Sequence, residues 1–170
     1  MGLVFLRGRL DGALASTVIA QLLVAAQLPT QDSIDLYIDS PGGSISAALG
    51  VYDFIQSLGA RVSTTCSGTA GGSAVLILAG GAAARRAALP SARIHLTDDP
   101  VDLSPGRFDH PEAQAEEARR ATARWRSALL QRSSQSPEQL AQDMAIGRWL
   151  SASEAVDYGL VDRVGLSQRA

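Results

Sequence analysis

The sequence predicts a single α/β domain, spanning residues 1–170, in which parallel strands alternate with helices. A chain of 170 residues is long enough for one domain with a sizeable core and too short for two. Hydrophobic residues make up 46% and charged residues 19%, which is typical of a globular protein rather than a disordered one. Three successive units of strand, turn and helix carry the fold prediction, and right-handed connections are expected between the parallel strands.

The elements follow from the spacing of apolar residues. A short apolar run opens the chain, and a helix with apolar residues on one stripe begins at Asp11. Alternating or compact apolar segments predict further strands, each followed by a helical pattern. The predicted strands are 3–6, 34–38, 61–66 and 93–96, and the helices after the first are 47–58 and 74–79.

Two glycine-rich turns separate these strands from their helices. They are Ser40–Ser44 and Gly68–Ser73, and each is expected to expose backbone N–H groups at the start of a helix. Such groups can bind an oxyanion or a phosphate, although a tight turn that needs positive φ would look the same. Phosphate is disfavoured because the chain has no lysine and no Gly-x-Gly-x-x-Gly spacing.

The last third of the chain has a different composition. The segment Pro111–Gln131 is rich in Ala, Glu and Arg and predicts a long helix that packs poorly on a core, and therefore projects or lies between subunits. A solvated surface helix is the alternative. Two further helices are predicted after the capping residues Ser136 and Ser151, and Gly159 can end the second of them.

Composition excludes several classes of chemistry. All 15 basic residues are arginine, which rules out a phosphate-loop lysine, a Schiff base and a Ser-Lys dyad. The net charge of -2 suggests neither a nucleic-acid nor a membrane surface, and no stretch is apolar enough to span a bilayer. The single cysteine, Cys66, is expected to be a buried structural thiol rather than a nucleophile. One cysteine and the absence of a signal-peptide pattern in Met1–Leu6 predict a cytoplasmic protein.

Two histidines could act as bases. His110 precedes a proline and is expected at the surface, whereas His95 lies in a strand, where a hydrogen-bonded core or interface role competes with catalysis. The neighbouring pair Asp98 and Asp99 has no recognised metal-ligand spacing, so we interpret it as a solvated loop and predict no metal or other cofactor.

Several motifs, in order and at family spacing over nearly the whole chain, resemble the proteolytic subunit of the Clp protease, ClpP. The segment Tyr37–Ser44 is similar to the family's "YINSPGG", and Ser63–Gly68 is similar to "STICxG". Ala88–Arg93 resembles "ALPNSR", and Leu150–Asp162 resembles "FLSAxEAxEYGLID". The resemblance implies a ClpP/crotonase-like fold, self-association into stacked seven-membered rings, and a strand-helix handle, here about residues 98–133, that joins the rings.

The family cuts peptides with serine, histidine and aspartate, and this chain departs from it at each matched position. The serine of "GMAASMG" corresponds to Gly72, the histidine of "SRVMIHQP" to Thr97, and the aspartate before "RFLSA" to Gly147. Losing one such group typically costs roughly 10⁴-fold in rate. The oxyanion glycine is retained as Gly43, so the resemblance implies a cleft at Gly42, Gly43 and Ser73 without chemistry.

Three alternatives remain. A serine endopeptidase could use the shifted residues Ser73 and His95, although both shifts would have to compensate each other. A crotonase-like acyl-thioester enzyme or a peptide-binding module could use the same turns. We therefore predict an inactive ring-forming structural or regulatory subunit, alone or mixed with active ClpP paralogues. The family's N-terminal segment has no counterpart before the first strand, which weakens the expectation of contact with an unfoldase ATPase.

Overall fold

The computed structural model describes residues 2–27, 33–101 and 111–166. Within them, strands and helices alternate as predicted through the first half, and helices dominate the second. The strands are β1 (Gly2–Arg7), β2 (Ile34–Ser40), β3 (Val62–Gly71), β4 (Arg86–Ala88), β5 (Arg93–His95), β6 (Trp149–Ser151) and β7 (Arg163–Val164). The helices are α1 (Gly12–Gln27), α2 (Ile45–Leu58), α3 (Ala74–Ala79), α4 (Pro111–Arg132), α5 (Pro137–Ala145) and α6 (Ala152–Asp157). The predicted α/β class is confirmed.

The sheet is parallel apart from one strand pair, and its order among the described residues is β1-β2-β3-β4-β7. The long strand β3 forks the sheet: Thr64–Cys66 pair with β4, and Thr69–Gly71 pair with β5. Strand β6 then runs antiparallel to β5. Because β5 lies beyond the fork, its residues are brought beside the second glycine-rich turn.

The core lies between the sheet and the helices that pack on it, α1 and α3 among them. Strands β1 and β2 alternate strictly between buried and more exposed residues, and every residue of the short helix α3 is buried. The stripe predicted for α1 is confirmed at Val18, Leu22 and Ala25. Burial of these apolar side chains is the main term that holds α1 and α3 on the sheet.

Two details of the predicted elements are wrong. The second glycine-rich turn was expected to begin at Gly68, but β3 continues to Gly71, because its last residues find hydrogen-bonding partners in β5. Only Gly72 and Ser73 remain as the turn. The short strands β4, β6 and β7 were not predicted, since two or three residues give no readable periodicity.

The long polar helix α4 divides into two halves. Its first half, Pro111–Arg120, contains no buried residue, whereas Ala121, Trp125 and Leu129 are buried against the core. The prediction that this helix packs poorly on a core is therefore wrong for its second half, where three residues at i, i+4 and i+8 form one apolar stripe. Part of the expected handle, residues 102–110, lies outside the described residues.

One face of the first strand and helix exposes large apolar side chains. Leu3, Phe5, Leu23 and Val24 have exposed fractions of 41%, 53%, 44% and 64%. Parallel sheets are usually covered on both faces, so this surface is available for contact with another chain. Among the described residues, no helix combines the length and the apolar character needed to cross a bilayer.

Candidate functional site

The first glycine-rich turn leads from β2 into α2. Its hydroxyls cap the turn at both ends: Gly42 N donates to Ser40 Oγ at 3.2 Å, and Ala47 N donates to the N-cap Ser44 Oγ at 3.3 Å. Gly43 adopts φ +154°, and a Cβ there would lie 2.2 Å from Leu10 O. Glycine is therefore required at position 43.

The second turn joins β3 to α3 across from the first. Gly72 adopts φ +46°, a conformation that favours glycine, and its N–H donates to His95 O at 3.0 Å. Ser73 follows as the N-cap residue of α3. The N–H groups of Ser73 and Gly43 converge on one point, although the two residues lie 30 positions apart in the sequence.

The carboxylate of Asp99 lies between the two turns. Its Oδ2 accepts hydrogen bonds from Gly43 N at 2.7 Å and from Ser73 N at 2.5 Å. Asp99 was interpreted from the sequence as part of a solvated loop, and that interpretation is wrong. The matched family motif "SRVMIHQP" has proline at this position, but that difference alone does not predict where the carboxylate lies.

The Ser73 hydroxyl and the His95 imidazole are not hydrogen-bonded to each other. Ser73 is fully buried, and its Oγ has no hydrogen-bonding partner among the residues that the structure describes. The His95 ring instead stacks on Trp149, with centroids 4.2 Å apart and planes within 4°. The second histidine, His110, lies outside the described residues.

The pairing of β5 with β6 brings His95 close to Gly147, the position matched to the family's aspartate. His95 pairs with Trp149, and Leu96 N donates to Arg148 O at 2.8 Å. Gly147 adopts φ +65°, and a Cβ there would lie 3.3 Å from His95 Nε2. Neither Thr97 nor Gly147, the positions matched to the family's histidine and aspartate, supplies a base or a carboxylate.

The buried carboxylate of Asp143, close in sequence to Gly147, is hydrogen-bonded to other side chains of the protein. Asp143 accepts hydrogen bonds from the hydroxyl of Tyr158 at 2.8 Å, from Gln139 Nε2 at 3.0 Å and from Arg148 Nη1 at 3.2 Å. Burial alone would raise the pKa of Asp143, but the donors from Tyr158, Gln139 and Arg148 outweigh it, so this pKa lies below its ordinary value. Burial, and then the bond to Asp143, raise the pKa of Tyr158.

The cysteine does not belong to the site. Cys66 is fully buried on β3, and burial raises the pKa of its thiol to about 12, so it remains a thiol near neutral pH. The prediction of a buried structural thiol is confirmed. In the described residues, no three or more His, Cys, Asp or Glu side chains cluster in a way that could hold a metal ion.

The fold and the two convergent turns define a class: an α/β protein with an oxyanion-type pair of backbone donors at the ends of neighbouring strands. The family model described as Clp protease matches residues 2–168. The chain belongs to the Clp protease family, and its predicted ClpP-type α/β fold is confirmed.

Two named relatives fit this membership. The "ATP-dependent Clp protease proteolytic subunit 1" of Tropheryma whipplei (strain Twist) is 38% identical over 99% of this chain and 82% of its own length. The protein of the same description from Corynebacterium efficiens is 35% identical over 95% of this chain and 78% of its own length.

Proposed function

We propose that this chain is a proteolytic-subunit homologue of the Clp protease family that does not cleave peptides and acts as a ring-forming structural or regulatory subunit. The observation that carries the proposal is the environment of Ser73. Its Oγ is the hydroxyl nearest in sequence to the family's serine position, and it is fully buried without a hydrogen-bonding partner among the described residues. A serine becomes nucleophilic only beside a general base.

The other two matched positions support the same proposal. Thr97 is not a base near neutral pH, and Gly147 has no side chain to orient one. The His95 ring stacks on Trp149 and is not hydrogen-bonded to the Ser73 hydroxyl. The scaffold of the family is thus kept while the groups that perform peptide cleavage are missing.

The test is peptide turnover and active-site labelling of the purified chain. We expect no cleavage of fluorogenic peptides and no labelling by a fluorophosphonate, with an active Clp proteolytic subunit as positive control. Turnover or labelling by the chain that disappears in Ser73→Ala would overturn the proposal and favour the alternative enzyme based on Ser73 and His95. The variant Ser67→Ala, at a hydroxyl that is bonded to Ile38 O, controls for the loss of any serine.

A crotonase-like acyl-thioester enzyme would need the same two backbone donors to stabilise an enolate or oxyanion. Both already donate to Asp99, so no observation favours that alternative. For partners we propose further copies of this chain or active paralogues of the same family, and for location the cytoplasm. Family membership and the free thiol of Cys66 support these two proposals.

A further inference from the structure

A single oxygen of Asp99 satisfies both backbone donors of the site. Gly43 N lies 2.7 Å from Asp99 Oδ2, a distance typical of a charge-assisted hydrogen bond, and Ser73 N lies 2.5 Å from the same oxygen. This is the arrangement in which an oxyanion hole holds a negatively charged oxygen, with two preorganised N–H groups directed at one point. In this chain the negative oxygen comes from the protein itself.

The same carboxylate fills the space that a side chain at position 72 would need. A Cβ built on Gly72 would lie 2.3 Å from Asp99 Oδ2, 2.5 Å from its Cγ and 2.6 Å from its Oδ1. A Cβ on Gly42 would likewise lie 2.3 Å from Oδ2. All of these distances are far inside van der Waals contact. A serine at position 72 would therefore clash with the Asp99 carboxylate unless that carboxylate moved away from the two donors.

The residues on either side of Asp99 hold its backbone in place. Asp98 forms an ion pair with Arg126 on α4. Pro100 O accepts a hydrogen bond of 3.1 Å from Ile45 N at the start of α2. These contacts connect the segment to two helices on either side of Asp99 and favour the position in which its carboxylate meets the two donors.

We propose that Asp99 is an internal anion that closes the oxyanion site of this chain. It occupies both donors, blocks the position matched to the family's serine, and makes the site unavailable to an external carboxylate or to a developing oxyanion. This inference deepens the proposed function, because a closed oxyanion site prevents catalysis even where a nucleophile is supplied. It is tested by stability and binding rather than by turnover, so either proposal can fail while the other stands.

The first experiment is chemical rescue with acetate, which has the same heavy atoms as the side chain removed in Asp99→Gly. Loss of the carboxylate leaves two donors without their acceptor and lowers the melting temperature. We expect acetate, compared with chloride at equal ionic strength, to raise the melting temperature of Asp99→Gly by roughly 3 °C or more at saturation. The matched control Asp98→Gly carries the same change at the neighbouring acid, and acetate should not affect it.

The outcomes separate clearly. Selective rescue of Asp99→Gly supports the proposal, and equal effects of acetate and chloride on both variants overturn it. Where Asp99→Gly is recovered only unfolded, the yield of refolding in acetate and in chloride replaces the melting temperature as readout. Equal yields would then count against an anion-binding site at these donors.

A second experiment tests the steric exclusion. We expect Gly72→Ser to lower the melting temperature less in the Asp99→Gly background than in the wild type, because the clash with the carboxylate has been removed. The strain of placing serine at φ +46° is the same in both backgrounds and cancels. Gly147→Ser, at φ +65° but beside His95 rather than Asp99, should cost the same in both. Equal costs of Gly72→Ser in the two backgrounds would refute the exclusion.

Discussion

At the scale of the residue, Asp143 shows how this chain keeps a buried charge. The carboxylate is only 3% exposed, yet donors from Tyr158, Gln139 and Arg148 surround it. Because their combined effect exceeds the cost of burial, the pKa of Asp143 is lower in the folded chain than in the unfolded one. The resulting stabilisation is fully present above an unfolded pKa of about 3.9 and is lost as the pH falls through the lower native value.

Tyr158→Phe tests this cluster. The variant removes a hydrogen bond to a charged group, so we expect it to lower the free energy of unfolding by about 1.5–3 kcal/mol at pH 7. The difference from wild type should shrink as Asp143 becomes protonated below about pH 4. Urea denaturation between pH 7 and pH 2.5 measures both. Tyr37→Phe is the control, since its ring stacks on Phe5. A pH-independent difference would contradict the interpretation.

At the scale of the element, α4 links the core to the candidate site. Trp125 is 1% exposed, and its Nε1 donates a long hydrogen bond of 3.5 Å to Ser73 O. The next residue, Arg126, forms an ion pair with Asp98, the neighbour of Asp99. Although the first half of α4 is polar and exposed, its second half contacts both the second glycine-rich turn and the neighbour of Asp99.

Trp125→Ala should destabilise the chain strongly. Truncating a buried tryptophan leaves a cavity and costs about 3–5 kcal/mol in the free energy of unfolding, measured by urea denaturation. Arg119→Ala, on the exposed half of the same helix, should change it by less than about 0.5 kcal/mol, because its ion pair with Glu116 is largely solvated. Similar costs for the two variants would show that α4 is not anchored through Trp125.

At the scale of the whole molecule, the exposed apolar face of β1 and α1 is the feature that a monomer explains least well. Leu3 and Phe5 lie on the uncovered side of an edge strand, and Val24 is the most exposed of the apolar residues of α1. The family forms oligomeric rings, which would cover such a surface. We propose that this face contributes to self-association of the chain.

Native mass spectrometry tests the assembly. We expect oligomers of the wild type, and a shift toward smaller species in Val24→Asp, because a charge in a buried apolar contact is costly. Ser16→Asp adds the same charge to an exposed position of the same helix and should leave the distribution unchanged. Equal behaviour of the two variants would remove α1 from the interface.

The sequence by itself determined the α/β class and most of the helices and strands, and it predicted the loss of the three family side chains at Gly72, Thr97 and Gly147. These features are local, because periodicity, caps and motif spacing are written in neighbouring residues. It also indicated the two glycine-rich turns. The end of β3 was predicted too early, because the length of this strand depends on its pairing with β5.

Only the tertiary structure decided what lies between the turns. Asp99 is 56 residues from Gly43 and 26 from Ser73, and no local pattern announces a carboxylate that accepts from both. In the same way, the burial of Trp125 depends on helices that contact α4 rather than on its own polar composition. Long-range contacts of this kind are set when the whole chain packs, which is why the loss of a serine could be predicted from the sequence and the position of the Asp99 carboxylate could not.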